Sequence, residues 1–196
     1  MLLRDLDPTR LSWGEECSKP DGGKWLPLTH VLEVELPHVR SVFGVQAVAT
    51  ELTRSEVPVF RLKLGDLSSA MLDALKRLDA FVLESAVTHS SAWFGKPTSP
   101  EVCQALYRPC LQRNLFSVRL PSDDGVTLAC SHVSKDGVPP AAQLLDLAPP
   151  GSFVTVTLAC NGAWTQNGHF GLHWVVTDLT VESVLPWRTA PSSTFS

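Results

Sequence analysis

No apolar run in this 196-residue chain approaches the roughly 20 residues that span a bilayer. Its charged beginning, MLLRDLDPTR, lacks the apolar stretch of a secretory signal. A soluble, intracellular protein without membrane contact is therefore expected. Cysteine is sparse and unpaired in pattern: Cys17, Cys103, Cys110, Cys130 and Cys160 form no CxxC and are odd in number, which points to free, mostly buried thiols. Catalytic signatures are missing as well, with no GxSxG, phosphate loop, GxGxxG or HExxH. The nearest approaches to metal spacing are Cys130-Ser131-His132 and the pair His169 and His173. Residues four apart on a strand stand about 13 Å from each other, too far to share one zinc. Asp123, Asp124 and Asp136 could hold Mg²⁺, but acids in turns are ordinarily just solvated. No cofactor and no metal is expected, and an enzyme is the minority reading.

What is present is one core's worth of apolar residues, 44% of the chain, with no internal repeat. The net charge of −4 argues against a polyanion ligand, yet its distribution matters more than its sum. Residues 1–51 hold 5 Lys and Arg against 8 Asp and Glu, residues 52–119 hold 9 against 6, and residues 120–196 hold 2 against 6. Positive charge gathers in the middle third. A solvated surface of mixed charge is the bland alternative.

The clearest local pattern lies at Gly151–Val181. Val154, Val156 and Leu158 alternate with Phe153, Thr155 and Thr157; a Gly/Asn-rich stretch with Asn161-Gly162, Trp164 and Asn167-Gly168 follows; Phe170, Leu172, Trp174 and Val176 then alternate with Gly171, His173 and Val175. Two period-2 runs so joined predict a β-hairpin with a loop longer than a tight turn. Gly171 inside the returning strand predicts a bend or the close approach of another backbone. Upstream, Trp25–Leu36 reads as extended, with Pro37 expected to limit it. Ser41–Thr53, with a bend at Gly44, and Val57–Leu64 read as further strands. Met71, Leu75, Leu78, Val82 and Ala86 recur at a helical period after Ser68-Ser69, and Ser99-Pro100-Glu101 opens a second helix to Tyr107. Pro109 should end or kink that helix. Leu115–Leu120 and Val126–Ser131 read as strands.

Strands, then two helices, then strands predict an α+β chain, mainly β: a bent, antiparallel, five-stranded barrel with a helical insertion and an extra hairpin. Residues 1–24 read as an N-terminal arm, 25–185 as the domain, and 186–196 as a flexible tail.

Aromatic and basic residues interleave in a way that suits single-stranded nucleic acid, which needs rings for its bases and cations for its phosphates. Trp93, Phe94 and Lys96 stand together between the helices. Tyr107 adjoins Arg108. Arg61, Lys63 and Arg119 fall on predicted strands. Trp93 and Phe94, in a loop between helices, are rings of a kind more often wedged into the core. Trp174, in phase with Phe170 and Leu172, is assigned to the core, and Trp164 is the aromatic expected to be most exposed.

Taken in order, Ser90-Ser91-Ala92-Trp93-Phe94-Gly95-Lys96, Tyr107-Arg108-Pro109, Gly151-Ser152-Phe153-Val154, Gly162-Ala163-Trp164 and Phe170-Gly171-Leu172-His173-Trp174 resemble one family's pattern over about residues 25–185. It is similar to that of the OB-fold single-stranded-DNA-binding proteins of large double-stranded DNA viruses of eukaryotes and related phages. The resemblance implies an OB-type barrel that coats single strands, without catalysis, in viral DNA replication, recombination or repair. The implied place is the host nucleus or a cytoplasmic replication site. Trp93, Phe94, Lys96, Tyr107, Arg108 and Trp164 match its motif positions. His173 departs from it, standing where a cationic or polar strand residue is usual, and lysine is sparser than usual around the motifs. The implied partner is single-stranded DNA, or RNA, with replication proteins meeting the acidic surface or the C-terminal tail. The rival reading is a structural or protein-interaction module on the same fold.

Overall fold

A computed structural model describes residues 1–19, 22–48, 59–120 and 148–183. Seven strands among them form one sheet: β1 (Cys17–Ser18), β2 (Lys24–Val48), β3 (Val59–Gly65), β4 (Leu111–Gln112), β5 (Leu115–Leu120), β6 (Phe153–Gln166) and β7 (His169–Ser183). Three helices, α1 (Ser69–Thr88), α2 (Ser90–Phe94) and α3 (Pro100–Leu106), lie between β3 and β4. The chain is mainly β, and the sheet rings through five strands in the order β2, β3, β5, β7, β6 and back to β2.

The ring closes because β2 is long enough to serve two neighbours. Its first part, from Lys24 to Arg40, pairs with β6, and its last part, from Arg40 to Val48, pairs with β3. Three register shifts bend it, between Pro27 and Leu32, Leu36 and Val39, and Ser41 and Val45. Pro37 was expected to limit the strand and instead sits in the second shift. A proline has no N–H to give a ladder, and a bulge asks for none there. Gly44, at φ 68° within the third shift, supplies the expected bend. A Cβ there would stand 3.0 Å from the Ala148 carbonyl oxygen.

The sheet is mixed where an antiparallel one was expected. β5 and β7 pair in parallel through Arg119 and Val175. The cause is topological: β6 pairs with β2 and not with β5, so β7 returns in the direction of β5. The final hairpin also differs. Trp164 lies within β6, and the turn is Asn167-Gly168 alone, both at positive φ. That is the tight two-residue turn which Asn-Gly favours. The extra residues near Asn161-Gly162 form a register shift inside the strand, where Gly162 lets the Leu26 carbonyl of β2 come close.

Alternate residues point into the ring: Leu62 and Leu64, Phe116 and Val118, Val154, Val156 and Leu158, Leu172, Trp174 and Val176 are all buried. α1 begins at the expected cap, Ser68, whose hydroxyl accepts from the Met71 amide, and buries Met71, Ala74, Leu75, Leu78, Val82 and Ala86. α3 is capped likewise by Ser99, with Pro100 first in the helix, and ends at Leu106, ahead of Pro109. The N-terminal residues read as an arm are packed: Leu3 and Leu6 belong to the core, and Arg77 donates to the Leu6 carbonyl. Cys103 and Cys160 are buried, Cys110 is half-buried, Cys17 is exposed, and all four thiols are free. The strand expected at Val126–Ser131, Cys130, the acids Asp123, Asp124 and Asp136, and the C-terminal tail lie outside the described residues.

Candidate nucleic-acid interface

Because strands alternate, the residues that do not fill the ring line its outer face. Arg61 of β3 stands directly opposite Arg119 of β5, and Lys63 opposite Ser117. Arg119 Nη1 donates to His173 Nε2 of β7 at 3.3 Å, and His173 Nδ1 faces Asn161 Oδ1 of β6 at 3.4 Å. The His173 ring meets Trp25 of β2 edge to face at 5.6 Å, and Lys19 covers the Trp25 ring at 5.3 Å. Trp25 is the cross-strand partner of Trp164, which is in turn the partner of Gly171. Beside Gly171 the segment after α3 adds itself to the edge of β7, through the Arg108 amide and the Phe170 carbonyl. This puts Arg108 Nη2 3.0 Å from His169 Nε2. At the far end Lys63 lies over the ring of Phe43, which is 47% exposed. One continuous stripe of cations and rings thus crosses the outer face.

No carboxylate lies within ion-pair distance of Arg61, Lys63, Arg108 or Arg119 among the described residues; the same holds for Lys19, Arg77, Lys96 and Arg113, whereas Arg4, Arg10, Lys24, Arg40 and Lys76 each have one. Two of the buried side-chain nitrogens without a partner, Arg61 Nε and His169 Nδ1, lie on the stripe. Crowding of its guanidinium, and then the Arg61 charge, lower the Arg119 pKa. Burial first, then the charges of Arg119 and Lys19, bring His173 down to about 4, so its ring is neutral at pH 7. Uncancelled positive charge is what an incoming anion requires. Farther along the strands the same face turns acidic, with Glu33, Glu35 and Glu182 exposed.

Six of the ten residues singled out from the sequence meet here: Arg61, Lys63, Arg108, Arg119, Trp164 and His173. The other four do not. Trp93 is 5% exposed, on a short helix rather than in a loop, with its ring 4.9 Å from Trp13 and 6.3 Å from Phe170. Tyr107 is also 5% exposed, and its hydroxyl donates to Asp79 Oδ1. Phe94 is half-buried against Phe170. Lys96 is exposed, just past the left-handed Gly95 that ends α2. Trp93 and Tyr107 cannot stack a base from inside the core; their large apolar surfaces join the helices to the ring. Trp25, Lys19, Phe43, Asn161 and His169 were missed. For Trp25 a signal existed: it opens an alternating segment in phase with Pro27 and out of phase with the buried Leu26 and Leu28.

Among the described residues no three His, Cys, Asp or Glu side chains gather as metal ligands. No helix among them is long and apolar enough to cross a membrane.

Residues 59–192, just over two thirds of the chain, match the model of a family of unknown function, DUF5871. The chain belongs to that family. No curated protein and no solved structure matches it. The DUF5871 region takes in β3 to β7 and with them Arg61, Lys63, Arg108, Arg119, Trp164, His169 and His173. Trp25 and Phe43, on β2, precede it.

Proposed function

We propose that this protein binds single-stranded DNA, without catalysis, on the outer face of an OB-type barrel. The observation that carries this reading is the pair Arg61 and Arg119, opposed across β3 and β5 with no carboxylate near either among the described residues. Two like charges face to face destabilise a sheet, and a polyanion that joins them relieves the repulsion. The fold supports the same reading. Counted along the chain, the ring runs first, second, third, fifth, fourth and back to first, the Greek-key order of an OB barrel, whose second and third strands carry the oligonucleotide face. Here those strands are β3 and β5. Trp164 and Trp25 add half-buried rings beside the cations, the combination that single strands require. A role in viral DNA replication, recombination or repair extends the resemblance noted above.

The test is a titration of fluorescent oligo-dT at low and at raised salt. Micromolar or tighter binding that weakens steeply with salt is expected, since each phosphate contact releases a counterion. The acidic half of the same face favours a second reading, a protein-interaction module. Absence of any oligo-dT shift at low salt would select it.

A further inference from the structure

We propose that Arg108 with His169, and Arg119 with His173, are two phosphate seats on one strand path along β7, with Trp164 stacking a base between them. This rests on the single-strand-binding reading and adds the path and the working of each seat.

The two pairs are built alike. A guanidinium has donors only, so in both pairs the imidazole Nε2 must accept, at 3.0 Å from Arg108 and 3.3 Å from Arg119. Each arginine is thereby oriented by a lone pair and not by a carboxylate, and its charge is left uncancelled. Arg108 Nη1 is held in the same manner, donating to the carbonyls of Ala105 and Tyr107. Phosphate can then take the remaining donors.

Their placement fits one strand. His169 and His173 are four residues apart on the same face of β7, about 13 Å along it. Midway stands Gly171, and the Trp164 ring lies over it: Cζ2 is 3.3 Å from where a Cβ would be. The order is cation, ring, cation; a span of about 13 Å exceeds one nucleotide step, so the seats suit phosphates two steps apart, with Trp164 stacking one of the bases between them.

The second seat gains a donor on binding. Once a phosphate takes the donors of Arg119, His173 Nε2 loses its partner and faces an anion. Protonation there supplies another N–H to the phosphate. The charged groups facing this ring are Arg119 of β5 and Lys19 ahead of β2, while Asn161 of β6 and Trp25 of β2 complete its surroundings. The free ring is held near 4 by burial and then by those two cations. A phosphate that only restores the ordinary value of about 6.5 would therefore draw in a proton, and affinity would rise as pH falls.

Oligo-dT binding is measured for the wild type, Arg108→Ala, Arg119→Ala and His173→Gln, against salt and between pH 8 and pH 6. Each arginine variant should lower the salt slope by about one ion and the double variant by about two. Wild-type affinity should rise about fourfold from pH 8 to pH 6, and His173→Gln should lose that rise. His173→Asn serves should the glutamine variant fold poorly. Salt slopes equal to wild type in both arginine variants would overturn the seats while leaving DNA binding intact. A pH-independent wild-type affinity would overturn the proton uptake. Failure of the wild type to bind at low salt is a different result, and it removes the single-strand reading itself.

Discussion

Arg61 and Arg119 face each other across two antiparallel strands, and neither has a carboxylate partner among the described residues. Directly opposed like charges destabilise a sheet, and an opposite-charge pair in the same place contributes roughly 0.2–1 kcal/mol. Arg119→Glu should therefore stabilise the fold by about that amount while weakening oligo-dT binding. A melting curve and a binding titration on one sample check this. A drop in melting temperature, or unchanged binding, would contradict it.

Trp164 and Trp174 both lie in the final hairpin but point to opposite faces. Trp174 is 2% exposed, with its ring 5.5 Å from Phe116. Trp174→Ala should cost about 3–5 kcal/mol of stability by urea unfolding. Trp164→Ala should instead cost about 1–3 kcal/mol of oligo-dT binding and move the unfolding midpoint little.

The Tyr107 hydroxyl donates to Asp79 Oδ1 at 2.5 Å, tying the end of α3 to α1. Burial raises the Asp79 pKa, and the tyrosine hydrogen bond works against that rise. Tyr107→Phe removes the donor and leaves the half-buried Asp79 carboxylate without that hydrogen bond, at a cost of about 1–3 kcal/mol in denaturant unfolding. The same variant should raise the Asp79 pKa further, visible in a carboxyl-carbon NMR titration.

His173 links stability to pH. In the unfolded chain its ring takes up a proton near pH 6.5, and in the folded protein only near 4. Between those values the unfolded state binds more protons, so stability falls as pH falls, by up to about 1.4 kcal/mol per unit. Below about 4 this loss stops growing. Unfolding of the wild type and of His173→Gln should thus diverge between pH 6.5 and pH 4, with the variant less sensitive. Parallel curves would show that the ring is not held neutral.

The sequence by itself determined the elements whose signal is local. Ser68 and Ser99 mark helix starts because capping is a matter of a few neighbouring atoms, and Leu115–Leu120 is a strand because its alternation is complete within six residues. The core position of Trp174, in phase with Phe170 and Leu172, was legible for the same reason. The tertiary structure decided what depends on partners distant in the chain. Pro37 reads as a strand breaker until β6 is seen to leave it a bulge, and Trp93 reads as either a core ring or a stacking platform until Trp13 and Phe170 close over it. The stripe itself joins residues from before β2 to the first part of β7, and no local period records that. Arg61 and Arg119 are 58 positions apart in the chain. Only the pairing of β3 with β5, across the helices between them, sets them opposite each other.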